Sequence, residues 1–166
     1  MTLDRQRFEE LYRVHAPSVR RRAVELLGSE AEAAEVVQDL FLSMLERPQQ
    51  FANKSSLTTF LYSATTHACL NRLRNQRNRA RLLALHGAAA HDRHANPRAE
   101  RVLQLRALLR ELPDELAAVA VYHYLDEMTY DEIAALLGCS RRHVGTLLSR
   151  LAQLRGAQPE EACPAS

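Results

Sequence analysis

Arg141, Arg142 and His143 stand directly behind Ser140, and Thr146, Ser149 and Arg150 come after them at the spacing that keeps side chains on one face of a helix. Guanidinium forks suit phosphates and guanine edges, and hydroxyl and imidazole groups add single hydrogen bonds, so the chemistry on offer is groove reading in a DNA duplex. Arginines at a helix start oppose the helix dipole, unless a bound phosphate supplies the anion that such an end prefers. A second stripe, Thr59, Tyr62, Ser63, Thr66, His67, Asn71, Arg74, Asn75 and Asn78, repeats at i, i+3, i+4 and contains no carboxylate. It runs into Arg72, Arg74, Arg77, Arg79 and Arg81, five arginines in ten residues without one acid. A solvated helix more usually carries Glu/Lys pairs; arginines for phosphates beside Asn, Thr, His and Tyr for base edges or stacking suit a nucleic-acid surface. A third set, Glu35, Gln38, Asp39, Leu42 and Glu46, lines one helical face with an apolar residue among polar ones. Either this is a solvated face with one exposed leucine, which is common, or it is a docking site for a partner.

Other chemistries lack their residues. No nucleophile–base constellation, phosphate loop or metal-ligand spacing occurs, so we expect no enzyme, no cofactor and no metal site. His86, His91 and His94 share one segment with no established metal spacing, and Cys163 lies far along the chain. Three cysteines, Cys69, Cys139 and Cys163, are odd in number and widely separated, which argues against a disulfide framework and for a cytoplasmic location. No apolar run approaches the ~20 residues of a bilayer span, and no signal-peptide pattern opens the chain. The net charge of +2 over 166 residues hides opposed patches, because Glu111 to Ser140 holds seven acids and no Lys or Arg. Lys54 is the single lysine.

The elements that must position these residues are helical throughout, since apolar positions recur with the helical period and nowhere alternate. The spacing predicts an all-α protein of two small helical domains, 1–83 and 100–156, joined by a flexible linker over 84–99 and ending in a tail over 157–166. In the first domain Pro17 marks a kink or a new first turn, and Gly28 stops the helix. Ser29 with Glu32 forms a capping box, opening a helix with an inward stripe of Ala33, Val37, Leu40, Phe41, Met44 and Leu45. Ser56 caps a long helix ending near Arg81. In the second domain Leu103, Leu105, Leu108, Leu109 and Leu112 form one apolar helix up to Pro113, and Leu116, Val119, Ala120 and Tyr124 lie on the next. Thr129 and Glu132 make another capping box, Gly138 supplies a turn, and Ser140 caps a helix with Val144, Leu147, Leu148, Leu151 and Leu154 inward. Thr129 to Arg155 is therefore a helix-turn-helix.

Five motifs in one order, FEELYRVHAP, AAEVVQDLFLSML, SLTTFLYSATTHACLNRLRNQR, LRELPDELAAVAVYHY and MTYDEIAALLGCSRRHVGTLLSRL, span Phe8 to Leu151. In these the chain resembles bacterial RNA polymerase sigma factors of the extracytoplasmic-function group, with 1–83 as region 2 and 100–156 as region 4. The resemblance implies a non-catalytic specificity subunit that binds core polymerase and directs promoter-specific initiation under an anti-sigma factor. It implies that the Val36 to Leu45 helix docks on the beta-prime subunit, with Glu35, Gln38, Asp39 and Leu42 as contacts. It implies that Asn53, Lys54 and Ser55 capture an unstacked base of the minus-ten element. Tyr62, Thr66, His67 and Asn71 would meet the separating strands, with Arg72, Arg74 and Arg77 on phosphates. Ser140, Arg141, Arg142, His143, Thr146, Ser149 and Arg150 would read the minus-thirty-five duplex, and the acidic helices beside them would meet the beta subunit. Phe60 stands where relatives usually have tryptophan, His67 where asparagine is common, and Gly145 and Leu147 where Lys and Arg are common. A helix-turn-helix regulator acting without polymerase and a sigma-mimicking decoy are the rival readings; the arginine-rich stripe argues against the decoy and the Asp39–Leu42 surface against the simple regulator.

Overall fold

The computed structural model describes residues 5–47, 56–85 and 97–156, and helices are the only regular elements among them. They are α1 (Arg5–Leu27), α2 (Glu30–Glu46), α3 (Leu57–Leu85), α4 (Pro97–Glu111), α5 (Asp114–Ala120), a π-helical turn (Val121–Leu125), α6 (Tyr130–Leu137) and α7 (Arg141–Gly156). The chain gathers into two compact units, Met1–Asp114 and Glu115–Ser166. This division falls after α4, so α4 packs with α3 although the sequence groups it with the later helices.

The first unit is held by the apolar stripes of α1, α2 and α3. Ala16 and Val19 meet Val37, Leu40, Phe41, Met44 and Leu61, with Phe8, Leu57, Phe60 and Ala64 closing the edge. Tyr12 and Phe8 approach Phe41 edge-on, at centroid distances of 4.9 and 6.1 Å, the geometry that ring quadrupoles favour. α1 runs unbroken through Pro17, which lies exposed, where water can satisfy the carbonyl that Pro17 leaves unpaired. Gly28 ends α1 at φ +72°, a left-handed conformation that disfavours any side chain.

Ser29 accepts from the Glu32 backbone N–H at 3.3 Å, as the capping box requires. The Glu32 carboxylate instead takes a hydrogen bond from the Gln76 side chain of α3, so a local cap has become a helix–helix tie. The inward stripe of α2 includes Val36, 1 % exposed, whereas Leu45 is 43 % exposed and does not belong to it. The reason is phase: one residue past the buried Met44 turns Leu45 by roughly 100° around the helix, toward the side that carries Leu42. Leu109 of α4 and Leu112 just beyond it are buried, but Leu103 and Leu105 are exposed, so the apolar stripe expected there is not inward along its whole length.

In the second unit α5 continues into the π-helical turn, where the Asp126 N–H reaches the Val121 carbonyl at 3.1 Å. A π turn holds an extra residue and so rotates the side chains beyond it around the axis. Tyr122 consequently fills the core at 0 % exposure, and Tyr124, which shares the helical spacing of Leu116, Val119 and Ala120, is 54 % exposed. α6 opens with the complete Thr129–Glu132 capping box and closes on Gly138 at φ 67°, ψ 33°. Ser140 then accepts from the His143 N–H at 3.2 Å to start α7. Ile133, Val144, Leu147, Leu148 and Leu151 pack this pair, while Leu154, expected inward, is 48 % exposed in the last turns of α7. Among the described residues no helix is long and apolar enough to cross a membrane.

Candidate nucleic-acid and docking interfaces

On α2, Glu35, Gln38, Asp39 and Leu42 are all exposed on one face, and Leu42 is 46 % exposed. Leu45, expected in the core, adds a second exposed leucine one turn on, so the face carries a small apolar patch bordered by carboxylates. Two of those carboxylates are already engaged. Arg72 of α3 donates to Glu35 Oε2 and to Asp39 Oδ2, each at 2.6 Å, which sets the two acids side by side. These bonds, led by the one to Glu35, raise the Arg72 pKa. Arg72 therefore braces the α2 face and is not presented as a free phosphate ligand beside Arg79 and Arg81.

The α3 stripe divides similarly. Tyr62, Ser63 and His67 are half-buried, and Asn71, Asn75 and Asn78 are not in the core. Thr66 is fully buried, its hydroxyl donating to the Tyr62 carbonyl at 3.0 Å and facing Arg22, so the expectation that it meets a strand is corrected for this conformation. A β-branched hydroxyl that bonds back along its own helix passes as polar in the sequence while lying inside. Arg74 pairs with Asp114 and with Asn71 Oδ1, and Arg77 pairs with Glu111 at 3.3 Å and donates to the Arg110 carbonyl at 2.9 Å. Arg79 and Arg81 remain exposed. Asn53, Lys54 and Ser55 lie outside the described residues, as do His86, His91, His94 and Cys163.

Arg22 was not singled out by the sequence, yet it underlies this face. It is 8 % exposed on α1, its guanidinium lies 4.7 Å from the Tyr62 ring centroid, and its Nε and Nη2 sit 3.4 Å from Thr66 Oγ1. Its one sequence signal is an arginine on the inward line of Val19, Ala23 and Leu26. Burial beside it pushes the Cys69 thiol up to about 12, against a smaller downward pull from Arg22, so Cys69 is an inert core residue. His67 is held neutral: partial burial lowers its pKa, and the Asp114 carboxylate offsets this only in part.

In the second unit α7 exposes Arg141, Arg142, His143, Ser149 and Arg150, with Thr146 on the same face and Ser140 exposed at its cap. The Thr146 and Ser149 hydroxyls donate to the carbonyls of Arg142 and Gly145, at 3.1 and 2.9 Å, leaving oxygen lone pairs outward as acceptors for base amino groups. Arg141 approaches Asp131 at 3.4 Å with both side chains about 70 % exposed, a pairing that is easily exchanged for phosphate. Gly145 opens a hollow between Tyr130, Arg141, Arg142, Thr146 and Ser149. Leu147, at the other position where relatives carry a basic residue, is 1 % exposed and belongs to the core.

Two stretches of the chain match known protein families in the same order. Residues 11–79 match the Sigma-70 region 2 model, and residues 103–152 match Sigma-70, region 4. ECF RNA polymerase sigma factor SigM of Mycobacterium tuberculosis is 30 % identical over 154 residues, covering 92 % of this chain and 75 % of that protein. The chain belongs to the extracytoplasmic-function sigma factors. ECF RNA polymerase sigma factor SigE of Mycolicibacterium smegmatis is 29 % identical over 87 % of this sigma factor, which spans 57 % of SigE. RNA polymerase sigma factor YlaC of Bacillus subtilis is 26 % identical over 88 % of each chain. A solved structure of the sigma factor RpoE with the anti-sigma factor NepR from Bartonella quintana shares the fold, with a TM-score of 0.52 at 18 % identity over 90 % of this sigma factor and 92 % of RpoE.

Proposed function

We propose that this sigma factor is the non-catalytic specificity subunit of a bacterial RNA polymerase, binding the core enzyme in the cytoplasm and directing it to a two-part promoter. Core docking falls to the exposed α2 face of Glu35, Gln38, Asp39 and Leu42 against the beta-prime subunit, and Leu45 extends it. The observation that carries this reading is the Arg72 brace: it holds Glu35 and Asp39 in one orientation beside Leu42, and a preorganised charged rim around an apolar contact is what a specific interface needs. The α3 face, with Tyr62, His67 and Asn71, meets the separated strands of the minus-ten element, and the segment holding Asn53, Lys54 and Ser55 captures an unstacked base. α7 reads the minus-thirty-five duplex, and the acidic segment from Glu111 to Glu132 faces the beta subunit. In this role region 2 and region 4 act as separate modules over 1–83 and 100–156, which requires α4 to leave α3. An anti-sigma factor controls it, in line with the complex in which the RpoE relative was solved.

The test is co-purification with core polymerase. Asp39→Ala combined with Leu42→Ala is expected to abolish core binding while the far-ultraviolet circular dichroism and thermal midpoint stay near wild type. Recovery of the double variant with core at the wild-type level overturns the assignment of this face.

A further inference from the structure

α1 ends without a basic residue in its last turn, yet its terminal carbonyls do not lack a cation. Arg106 of α4 supplies it. Its Nε donates to the Leu26 carbonyl at 2.9 Å and its Nη2 to the Glu25 carbonyl at 3.3 Å. The guanidinium lies directly on Gly28, so close that a Cβ at that position would collide with Nη1. A cation at a helix C-terminus satisfies both the orphan carbonyls and the dipole, and here it comes from a segment 80 residues along the chain. Beyond Arg106 the same strip of chain occupies α3. Arg110 donates to Gln76 Oε1 at 2.9 Å, Glu111 pairs with Arg77, and Asp114 pairs with Arg74. Residues 103–114, within the span that matches region 4, thus cover two of the arginines at the basic end of region 2.

We propose that α4 is a self-docked latch: in the free protein Arg106 pins it to the end of α1, so that Glu111 and Asp114 occupy Arg77 and Arg74, and nucleic acid gains these arginines only when α4 lifts. The chemistry allows release, because Glu111 and Asp114 hold Arg77 and Arg74 through exposed pairs that contribute little alone, whereas Arg106 is the specific anchor that keeps them in place. A protein whose binding-competent form is a minor population shows an affinity reduced by that fraction. The proposal rests on the reading of α3 as a nucleic-acid surface.

The decisive variant is Arg106→Ala in the full chain, measured in two ways. Fluorescence anisotropy with a labelled oligodeoxythymidine strand is expected to show binding tightened about tenfold at fixed salt, as the closed fraction is lost. Simple electrostatics gives the opposite sign, since the variant has lost a positive charge. Hydrogen exchange of the Pro97–Glu111 amides is expected to accelerate in parallel, while α2 remains protected. Asp114→Asn, which keeps the Arg106 anchor, is expected to show a smaller tightening. Unchanged exchange in Arg106→Ala overturns the latch, and faster exchange with equal or weaker binding overturns the masking. If neither protein binds the strand, masking falls together with the nucleic-acid assignment of α3, and the exchange result still reports whether Arg106 anchors α4.

Discussion

Replacing Arg22 with alanine removes the buried cation beneath the α3 face, and the structure sets the size of the effect. The guanidinium stacks on Tyr62 at 4.7 Å, contacts Thr66 Oγ1 at 3.4 Å and reaches Glu25 Oε2 at 3.4 Å. A desolvated cation–π contact contributes about 2 kcal/mol. The two hydrogen-bond partners lie at the long limit and contribute ~0.5 kcal/mol each. The void left under Tyr62 destabilises further, and the freed arginine rotamers offset it by a similar ~1 kcal/mol. The net expectation for Arg22→Ala is a loss of about 3 kcal/mol, which at a urea slope of roughly 2 kcal/mol/M lowers the unfolding midpoint by ~1.5 M. Arg22→Met retains most of the volume and leaves Glu25, 53 % exposed, free to hydrate, so its loss is expected to be less than half as large. Urea titration followed by far-ultraviolet circular dichroism measures both. A midpoint for Arg22→Ala within ~0.3 M of wild type, or a methionine variant as damaged as the alanine one, refutes the account of Arg22 as a buried support for Tyr62.

Gly145→Ala is expected to stabilise the protein by about 0.5–1 kcal/mol, because the position is helical and the new methyl meets only Tyr130 Cε2 at 3.8 Å; a lower thermal midpoint contradicts this. His67 has a folded-state pKa below its ordinary 6.5, so the stability it contributes is present above pH 6.5 and lost as pH falls through the lowered value. Urea midpoints of wild type and His67→Gln are therefore expected to differ at neutral pH and to draw together as pH falls below 6.5, and parallel curves across that range contradict the assignment.

Local signals were legible in the sequence where one residue satisfies a backbone group close by. Ser29, Ser56, Ser140 and the Thr129–Glu132 box cap the helices they were expected to cap, and Gly138 takes the left-handed turn between α6 and α7. The exposed Leu42 among polar residues was legible for the same reason, since helical phase alone puts it there. Features that escaped depend on phase shifts or distant partners. The π turn exchanges Tyr122 for Tyr124, and periodicity carries no mark of it. Thr66 and Arg22 have polar side chains that satisfy each other inside, so residue type misstates their position. The five-arginine run read as one basic strip, but Arg72 turns to α2 while Arg74 and Arg77 turn to Asp114 and Glu111. Those acids lie more than thirty residues away, and no local rule joins them.

Run-off transcription with purified core polymerase tests the central claim most directly. Over a promoter library, the protein added to core is expected to give discrete transcripts from a subset of templates that share two conserved elements. Arg141→Ala with Arg142→Ala should weaken that selection and flatten its salt dependence, because two phosphate or base contacts of α7 are lost. Folded protein that yields no transcript above core alone, or transcripts that ignore template sequence, would contradict the account.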